Sequence, residues 1–454
     1  MMNGLEIVKS AFQGEQVERI PWVPFVGVHA GNLIHVDAEA YLKSTDHMVQ
    51  GVTEAVKRYN PDGIPVAFDL QIEAEALGCK LQWSKDNPPA VISHPLQEGV
   101  NIDDLEVPDP DEGRIPLVMD AAVQLRERFP DRALYGLITG PFTLALHLMG
   151  TDIFMKFFED PDEVHQVMKF AAEVGKMMAG KYIESGCDVI AMVDPMTSQI
   201  DPASFGEFVS PYATAIFDEI RAQKALSSFF VCGNAQQNIE VMCKCNPDNI
   251  SIDENIPLDY VRDIALANKV SFGGNMRLTV VLLMGSPEDA QREALACMDT
   301  GGKQGFILAP GCDLAMDTPE ENLVAVTEVV HDELLQGSLR ASEAKSSSLG
   351  KSDLTNHWHK DKVVVDIVTL DSSSCAPCQY MVNAVERAAA PFGDKVICRE
   401  YRIKEQEGVQ MMVSLGVQHI PTVVIDGEIE FSSRIPPIGD IKQRIGEYLE
   451  GKKI

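Results

Sequence analysis

Along the first 340 residues, short apolar runs alternate with longer amphipathic segments. About eight such runs stand at 22–28, 63–68, 134–138, 189–193, 228–231, 250–252, 270–272 and 305–308. A run this short, closed by glycine or a polar residue, is the pattern of a strand buried on both faces. Between or after them, stretches such as 160–185 and 318–336 carry the apolar spacing of helices. Repeated strand and helix units predict a parallel sheet, and eight strands is the closure number of a (β/α)8 TIM-type barrel.

The pattern stops at 341–360, where Ala341-Ser342-Glu343-Ala344-Lys345-Ser346-Ser347-Ser348 is polar, small and without period, as in a flexible linker. It resumes differently. The β-branched run at 362–370 predicts a strand, and Cys375-Ala376-Pro377-Cys378 leads into a helix over 379–390. Further on, 416–422 precedes a strand at 423–425 and the turn Asp426-Gly427. The expected division is therefore a barrel over 1–340, a linker over 341–360 and a smaller α/β domain over 361–454.

Composition narrows the partners. The chain of 454 residues carries a formal charge of −30. Residues 361–454 hold 11 Lys/Arg and 14 Asp/Glu, a net of −3, so −27 belongs to the preceding residues. Nucleic acid and anionic membrane both need basic patches, so neither is expected as a partner. Ten cysteines at irregular spacing fit reduced thiols and specific chemical sites better than a disulfide framework. The first residues lack a basic region followed by an apolar core, and no stretch approaches about 18 uninterrupted apolar residues. The chain reads as cytoplasmic.

Barrel enzymes gather their chemistry at the C-terminal ends of the strands. The residues that follow the predicted runs are His29, Asp69, Thr139 with Gly140, Asp194, Cys232 with Asn234, Asp253, Gly274 with Asn275, and Cys312. A lone Asp after a strand is commonly a helix cap or turn residue, and a lone Cys a buried apolar side chain. A ring of polar groups is harder to dismiss.

The segments Gly140-Pro141-Phe142-Thr143-Leu144-Ala145, Asp194-Pro195, Val231-Cys232-Gly233-Asn234, Gly305-Phe306-Ile307-Leu308-Ala309-Pro310-Gly311-Cys312 and Asp317-Thr318-Pro319-Glu320-Glu321-Asn322 resemble the uroporphyrinogen decarboxylase superfamily. With the stretch from Tyr59 to Cys79, they resemble more narrowly its corrinoid-dependent methyltransferase branch, over roughly 5–335. The resemblance implies a barrel that accepts the methylcobamide of a small corrinoid protein. The methyl group then passes to a thiol such as coenzyme M, or to a folate. His29, Asp69, Asp194, Asn234 and Asp253 are the residues expected to line the substrate or corrinoid site.

Thiol-accepting members of that branch hold zinc with a His-x-Cys pair and a distant Cys, which presents the acceptor as a thiolate. Cys232 and Cys312 match the two cysteines, but Phe230 stands where the His is expected. Zinc at this site needs His29 or Asp194 to complete it, with Cys243 and Cys245 as a weaker pair. Without zinc, a folate acceptor gains. A decarboxylase-like lyase is a further alternative, but 27–37 contains no Arg to grip a polyanionic porphyrinogen. A non-catalytic protein that docks a corrinoid protein and services its redox state is the reading from a different class.

The C-x-x-C at a helix N-terminus, followed by His419-Ile420-Pro421-Thr422 before a strand, resembles the thioredoxin and glutaredoxin-like family. The helix N-terminus stabilises a thiolate, so Cys375 is the expected attacking thiol and Cys378 the resolving one. The resemblance implies that Pro421 is cis and packs beside them. Such a dithiol could keep Cys232 and Cys312 reduced, feed electrons to a corrinoid, or relay a methyl group or thiol, in a setting of anaerobic one-carbon metabolism.

Overall fold

The computed structural model describes residues 2–341, 354, 357–373, 375–417 and 419–452, in two compact units, Met1–Ala344 and Lys345–Ile454. Most of the expected linker, including residues 342–353, lies outside the described residues.

In the first unit seven parallel strands are hydrogen-bonded in sequence order: β1 (Gly63–Pro65), β2 (Ala133–Thr139), β3 (Val189–Val193), β4 (Leu226–Val231), β5 (Asn249–Ile252), β6 (Ser271–Met276) and β7 (Phe306–Pro310). The eighth expected strand, 22–28, is reduced to a bridge. Leu308 N–H donates to Pro21 O and Val23 N–H to Leu308 O, both at 2.9 Å, while Asp62 N–H donates to Trp22 O at 2.8 Å. Residues 21–23 thus join β7 to the edge beside β1 and close the barrel. Pro21 and Pro24 have no N–H to give, so the ladder cannot lengthen beyond this bridge.

β6 runs four residues past its expected end. Gly273 and Gly274 read as an exit turn, but they lie inside the strand, because a Cβ at Gly274 would sit 2.4 Å from Ile252 O on β5. The helix expected over 318–336 is two, Glu320–His331 and Glu333–Ala341, because Asp332 Oδ1 accepts the N–H groups of Leu334 and Leu335 and starts a new helix. Phe25, Phe68, Val193, Phe230, Ile307 and Ala309 belong to one apolar cluster, with Cys232 and Cys312 packed against it, while the buried Ser228, Asn249, Ser251 and Ser271 of β4 to β6 hydrogen-bond to one another.

The second unit is a four-stranded mixed sheet in the order β9-β8-β10-β11, made of β8 (Val363–Thr369), β9 (Val396–Arg402), β10 (Thr422–Ile425) and β11 (Glu428–Ser432). β8 and β9 are parallel; β8–β10 and β10–β11 are antiparallel. Val363, Val365 and Ile367 on one face of β8 pack against Met381 and Val385 of helix Ala376–Ala389 and Ile441 and Ile445 of helix Ile438–Gly451. This is a thioredoxin-like arrangement. The first of these helices begins three residues earlier than expected, so Cys375 is its N-cap and Cys378 lies in its first turn.

Candidate active site

Cys232 follows β4 directly and Cys312 follows β7 by two residues. These strands are separated by β5 and β6, yet the two sulfurs stand 2.7 Å apart. The hydrogen bond between them and burial push the Cys232 thiol well above its ordinary acidity range, and the carboxylates of Asp253 and Glu254 add to the effect. Beneath the pair the floor is aromatic. The Phe230 ring lies 5.0 Å from Phe25 and 5.9 Å from Phe68, centroid to centroid.

Asp253 follows β5 and turns back toward Cys232: its Oδ2 accepts the Gly233 N–H, and its Oδ1 accepts the Asn255 N–H at 2.8 Å. Glu254, next to it, reaches the residue before Cys312. A Cβ on Gly311 would lie 2.6 Å from Glu254 Oε2. Burial, then the charge of Asp253, raises the Glu254 carboxyl well out of the usual carboxylate range. Its sequence signal is only its place after Asp253 at a strand end. Asn234, two residues beyond Cys232, is half-buried. Asn275 lies within β6 and donates to the carbonyls of Asp253 and Ile256 at 3.2 and 2.8 Å, tying β6 to the loop that carries Asp253.

The other strand-end residues are engaged in holding the barrel rim. Fully buried His29 stands between Met316 O, 3.1 Å from Nδ1, and the Tyr59 hydroxyl, 2.8 Å from Nε2. A neutral ring protonated on Nδ1 satisfies both, donating to the carbonyl and accepting from the hydroxyl. Burial lowers its pKa to about 4. Asp194 caps helix Pro141–Met149 from outside: Oδ2 accepts the Phe142 N–H at 3.0 Å, and Oδ1 the Thr143 N–H and hydroxyl at 2.8 and 2.6 Å. Burial raises its carboxyl to about 6 against those bonds. Thr139 donates its N–H and hydroxyl to buried Glu73, at 2.9 and 2.7 Å. Asp69 accepts from the buried guanidinium of Arg114 at 2.5 Å, and Arg114 also donates to Glu75 at 2.6 Å.

These contacts bear on zinc. Such a site takes three or four Cys, His or carboxylate ligands; beside the two sulfurs stand the phenyl ring of Phe230 and the carboxylate of Asp253, whose oxygens accept the Gly233 and Asn255 N–H groups. His29 and Asp194 are directed to their own partners, and Cys243 and Cys245 are buried at the end of helix Ile239–Lys244. Among the described residues no group of three or more His, Cys, Asp or Glu is arranged to hold a metal ion. The donor set does not fit zinc.

In the second unit Cys375 and Cys378 are joined in a disulfide. Cys375 is half-buried and Cys378 almost wholly buried. The loop before them is fixed by two carboxylates. Glu400 accepts from the Thr369 hydroxyl at 2.6 Å and the Ser372 N–H at 3.0 Å; Asp371 accepts the Ser373 N–H at 3.0 Å, and its carbonyl the Cys375 N–H at 2.9 Å. The Ile420–Pro421 bond is cis, and Pro421 O accepts the Ser433 N–H at 2.8 Å.

Fold and site define a parallel barrel with a cysteine pair over an apolar floor, joined to a thioredoxin-like dithiol unit. The uroporphyrinogen decarboxylase (URO-D) family matches residues 5–333, and a thioredoxin domain matches 363–446. The chain belongs to the uroporphyrinogen decarboxylase family and carries a C-terminal thioredoxin domain. It is similar to the methylcobamide:CoM methyltransferase MtbA of Methanosarcina acetivorans, 29% identical over 65% of this chain and 84% of the relative. A methylated-thiol–coenzyme M methyltransferase of Methanosarcina mazei is 30% identical over 60% of this chain and 73% of the relative. A methyltransferase structure from the same organism shares the fold, with a TM-score of 0.67, 24% identity and coverage of 72% of this chain and 98% of that one. No helix among the described residues is long and apolar enough to cross a membrane.

Proposed function

We propose that the barrel transfers a methyl group from a methylated corrinoid, presented by a small corrinoid protein, to a small-molecule thiol of the coenzyme M class. The observation that carries this reading is the meeting of Cys232 and Cys312 over the mouth, 2.7 Å apart on an aromatic floor. The likeness to methylcobamide:CoM methyltransferases supports the substrate class. The reaction passes CH3 to a thiolate sulfur while the Co–C electron pair stays on cobalt, so the protein must hold the acceptor sulfur and receive its proton. Phe25, Phe68 and Phe230 exclude water beneath the acceptor. Asp253 fixes the backbone after Cys232, and Glu254, whose carboxyl holds a proton more strongly than usual, is the group beside the cysteines suited to proton exchange with a thiol.

Phe230 favours a second reading, a folate acceptor, because it removes the ligand that thiolate generation on zinc requires. One assay separates the two. The reduced full chain is mixed with methylcobalamin without oxygen, and coenzyme M, homocysteine or tetrahydrofolate is added separately. Loss of the methylcobalamin bands with a thiol, slowed about 100-fold or more by Cys232→Ala or Cys312→Ala, is the expected result. Loss only with tetrahydrofolate selects the second reading. Turnover with a thiol that is undiminished in both variants removes the cysteine pair from the mechanism.

A further inference from the structure

Cys232 and Cys312 come from strands that are not neighbours, and their sulfurs lie inside non-bonded contact, a short movement from the roughly 2.05 Å of an S–S bond. Both are half-buried, whereas Cys79, Cys187, Cys243, Cys245 and Cys297 are buried. Among the described residues no third His, Cys, Asp or Glu is arranged with the pair to hold a metal ion. Two thiols in contact, open at one side and without a metal-binding partner, have the geometry of a redox couple. The same chain carries another such couple, Cys375 and Cys378, here oxidised.

We infer that Cys232 and Cys312 are a second redox couple of this chain, which closes to a disulfide across the barrel mouth and is reopened by the Cys375/Cys378 dithiol. The closing oxidant is a disulfide, either glutathione disulfide or the oxidised Cys375–Cys378 pair. In reopening, the Cys375 thiolate attacks one sulfur of the Cys232–Cys312 bond. That bond breaks, a mixed disulfide forms, and the expelled cysteine takes a proton. The Cys378 thiolate then attacks the Cys375 sulfur and releases the second cysteine. Two electrons and two protons pass from one pair to the other, and a small dithiol reductant restores Cys375 and Cys378. Closure removes both thiols from the mouth, so the barrel site exists only in the reduced state. Covalent attachment of the two units raises the effective concentration of one pair toward the other. The inference does not rest on methyl transfer, and its test does not read activity.

The full chain is reduced, freed of reductant without oxygen, equilibrated in glutathione buffers of increasing oxidation, quenched in acid, alkylated and digested for mass spectrometry. In Cys375→Ser/Cys378→Ser, the expected product is a Cys232–Cys312 cross-linked peptide that appears in one two-electron step, with neither cysteine left alkylated. In Cys378→Ser, oxidised first at the mouth, the expected product is a trapped mixed disulfide from Cys375 to Cys232 or Cys312, absent from Cys375→Ser. Independent alkylation of Cys232 and Cys312 at every potential overturns the couple. So does about one zinc per chain in the reduced protein with both cysteines shielded from alkylation. A cross-link that forms normally but never yields the mixed disulfide overturns the role given to Cys375.

Discussion

Phe230 and Cys232 lie two residues apart at the end of β4, and both side chains join the same apolar cluster inside the barrel. Alternate residues of a strand share a face, so whatever stands at 230 is presented beside the thiol at 232.

A histidine at that position gives the mouth an imidazole and two sulfurs, the three-ligand set of a catalytic zinc site. Phe230→His is therefore expected to gain about one zinc per chain when purified without oxygen in the presence of the metal, and to lose it with Cys312→Ala added. The polar ring also replaces a phenyl that packs tilted against Phe25 and edge-to-face with Phe68, which should lower stability by about 1–3 kcal/mol. A folded Phe230→His protein without zinc would mean that the two sulfurs are not open to the metal.

Stability should fall on acidification through His29. Its pKa is near 4 in the folded protein against 6.5 ordinarily, so the unfolded chain takes up a proton first. The contribution is complete above pH 6.5 and lost as pH falls toward 4, to a total of about 3 kcal/mol. Urea midpoints of the barrel transition at pH 7.5 and 4.5 should differ less in His29→Gln than in the parent, although the variant starts lower at pH 7.5. His147, held to about 3 by burial, supplies part of the slope that remains. Identical slopes in parent and variant would sink the assignment.

How far the chain could be read from its letters follows from what each segment does. β2, β3 and β7 are visible because strands buried on both faces read as near-continuous apolar runs, whereas β4 to β6 show only short runs broken by the buried Ser228, Asn249, Ser251 and Ser271. The segment 22–28 has the same composition, but its prolines limit it to one bridge, and an apolar run cannot announce how many of its N–H groups find partners. Gly273-Gly274 looks like an exit because glycine serves both turns and close strand contacts, and only Ile252 O decides which. At the mouth, Cys232, Cys312 and Asp253 stand out by ending apolar runs. His29 and Asp194 end such runs too, yet their hydrogen bonds turn them toward the rim, a matter of rotamer that spacing does not encode. Arg114 is invisible for another reason: it lies in an acidic loop, far along the chain from Asp69, at the start of helix Ile115–Arg128.

Arg114 is nevertheless expected to matter more than most single side chains in the barrel. It is buried between Asp69 and Glu75 and lies 4.8 Å from the Trp83 ring centroid. Removing one partner of a buried ion pair leaves an uncompensated charge, at a cost of about 3–5 kcal/mol. Arg114→Met should lower the unfolding free energy of the barrel by that amount, read from its denaturation curve, and Arg114→Lys should recover only part, because one ammonium lacks the fork that reaches both carboxylates. Full recovery by lysine would show that the charge alone matters.

In the second unit the counterpart is the pair His357 and Asp366. Asp366 is fully buried on β8, and its Oδ2 lies 2.6 Å from His357 Nε2, while Arg399 donates to His357 Nδ1 at 3.0 Å. The ring thus bridges the carboxylate and the guanidinium. Burial raises the Asp366 carboxyl, so its ionised form depends on these partners. His357→Ala takes the donor away and is expected to destabilise the thioredoxin-like unit by about 2–4 kcal/mol, read as an earlier unfolding step of the full chain. Asp366→Asn added to His357→Ala removes the stranded charge and should recover at least half of the loss. If the double variant is as unstable as His357→Ala alone, the histidine acts through packing against Trp358 and Tyr401 rather than through the carboxylate.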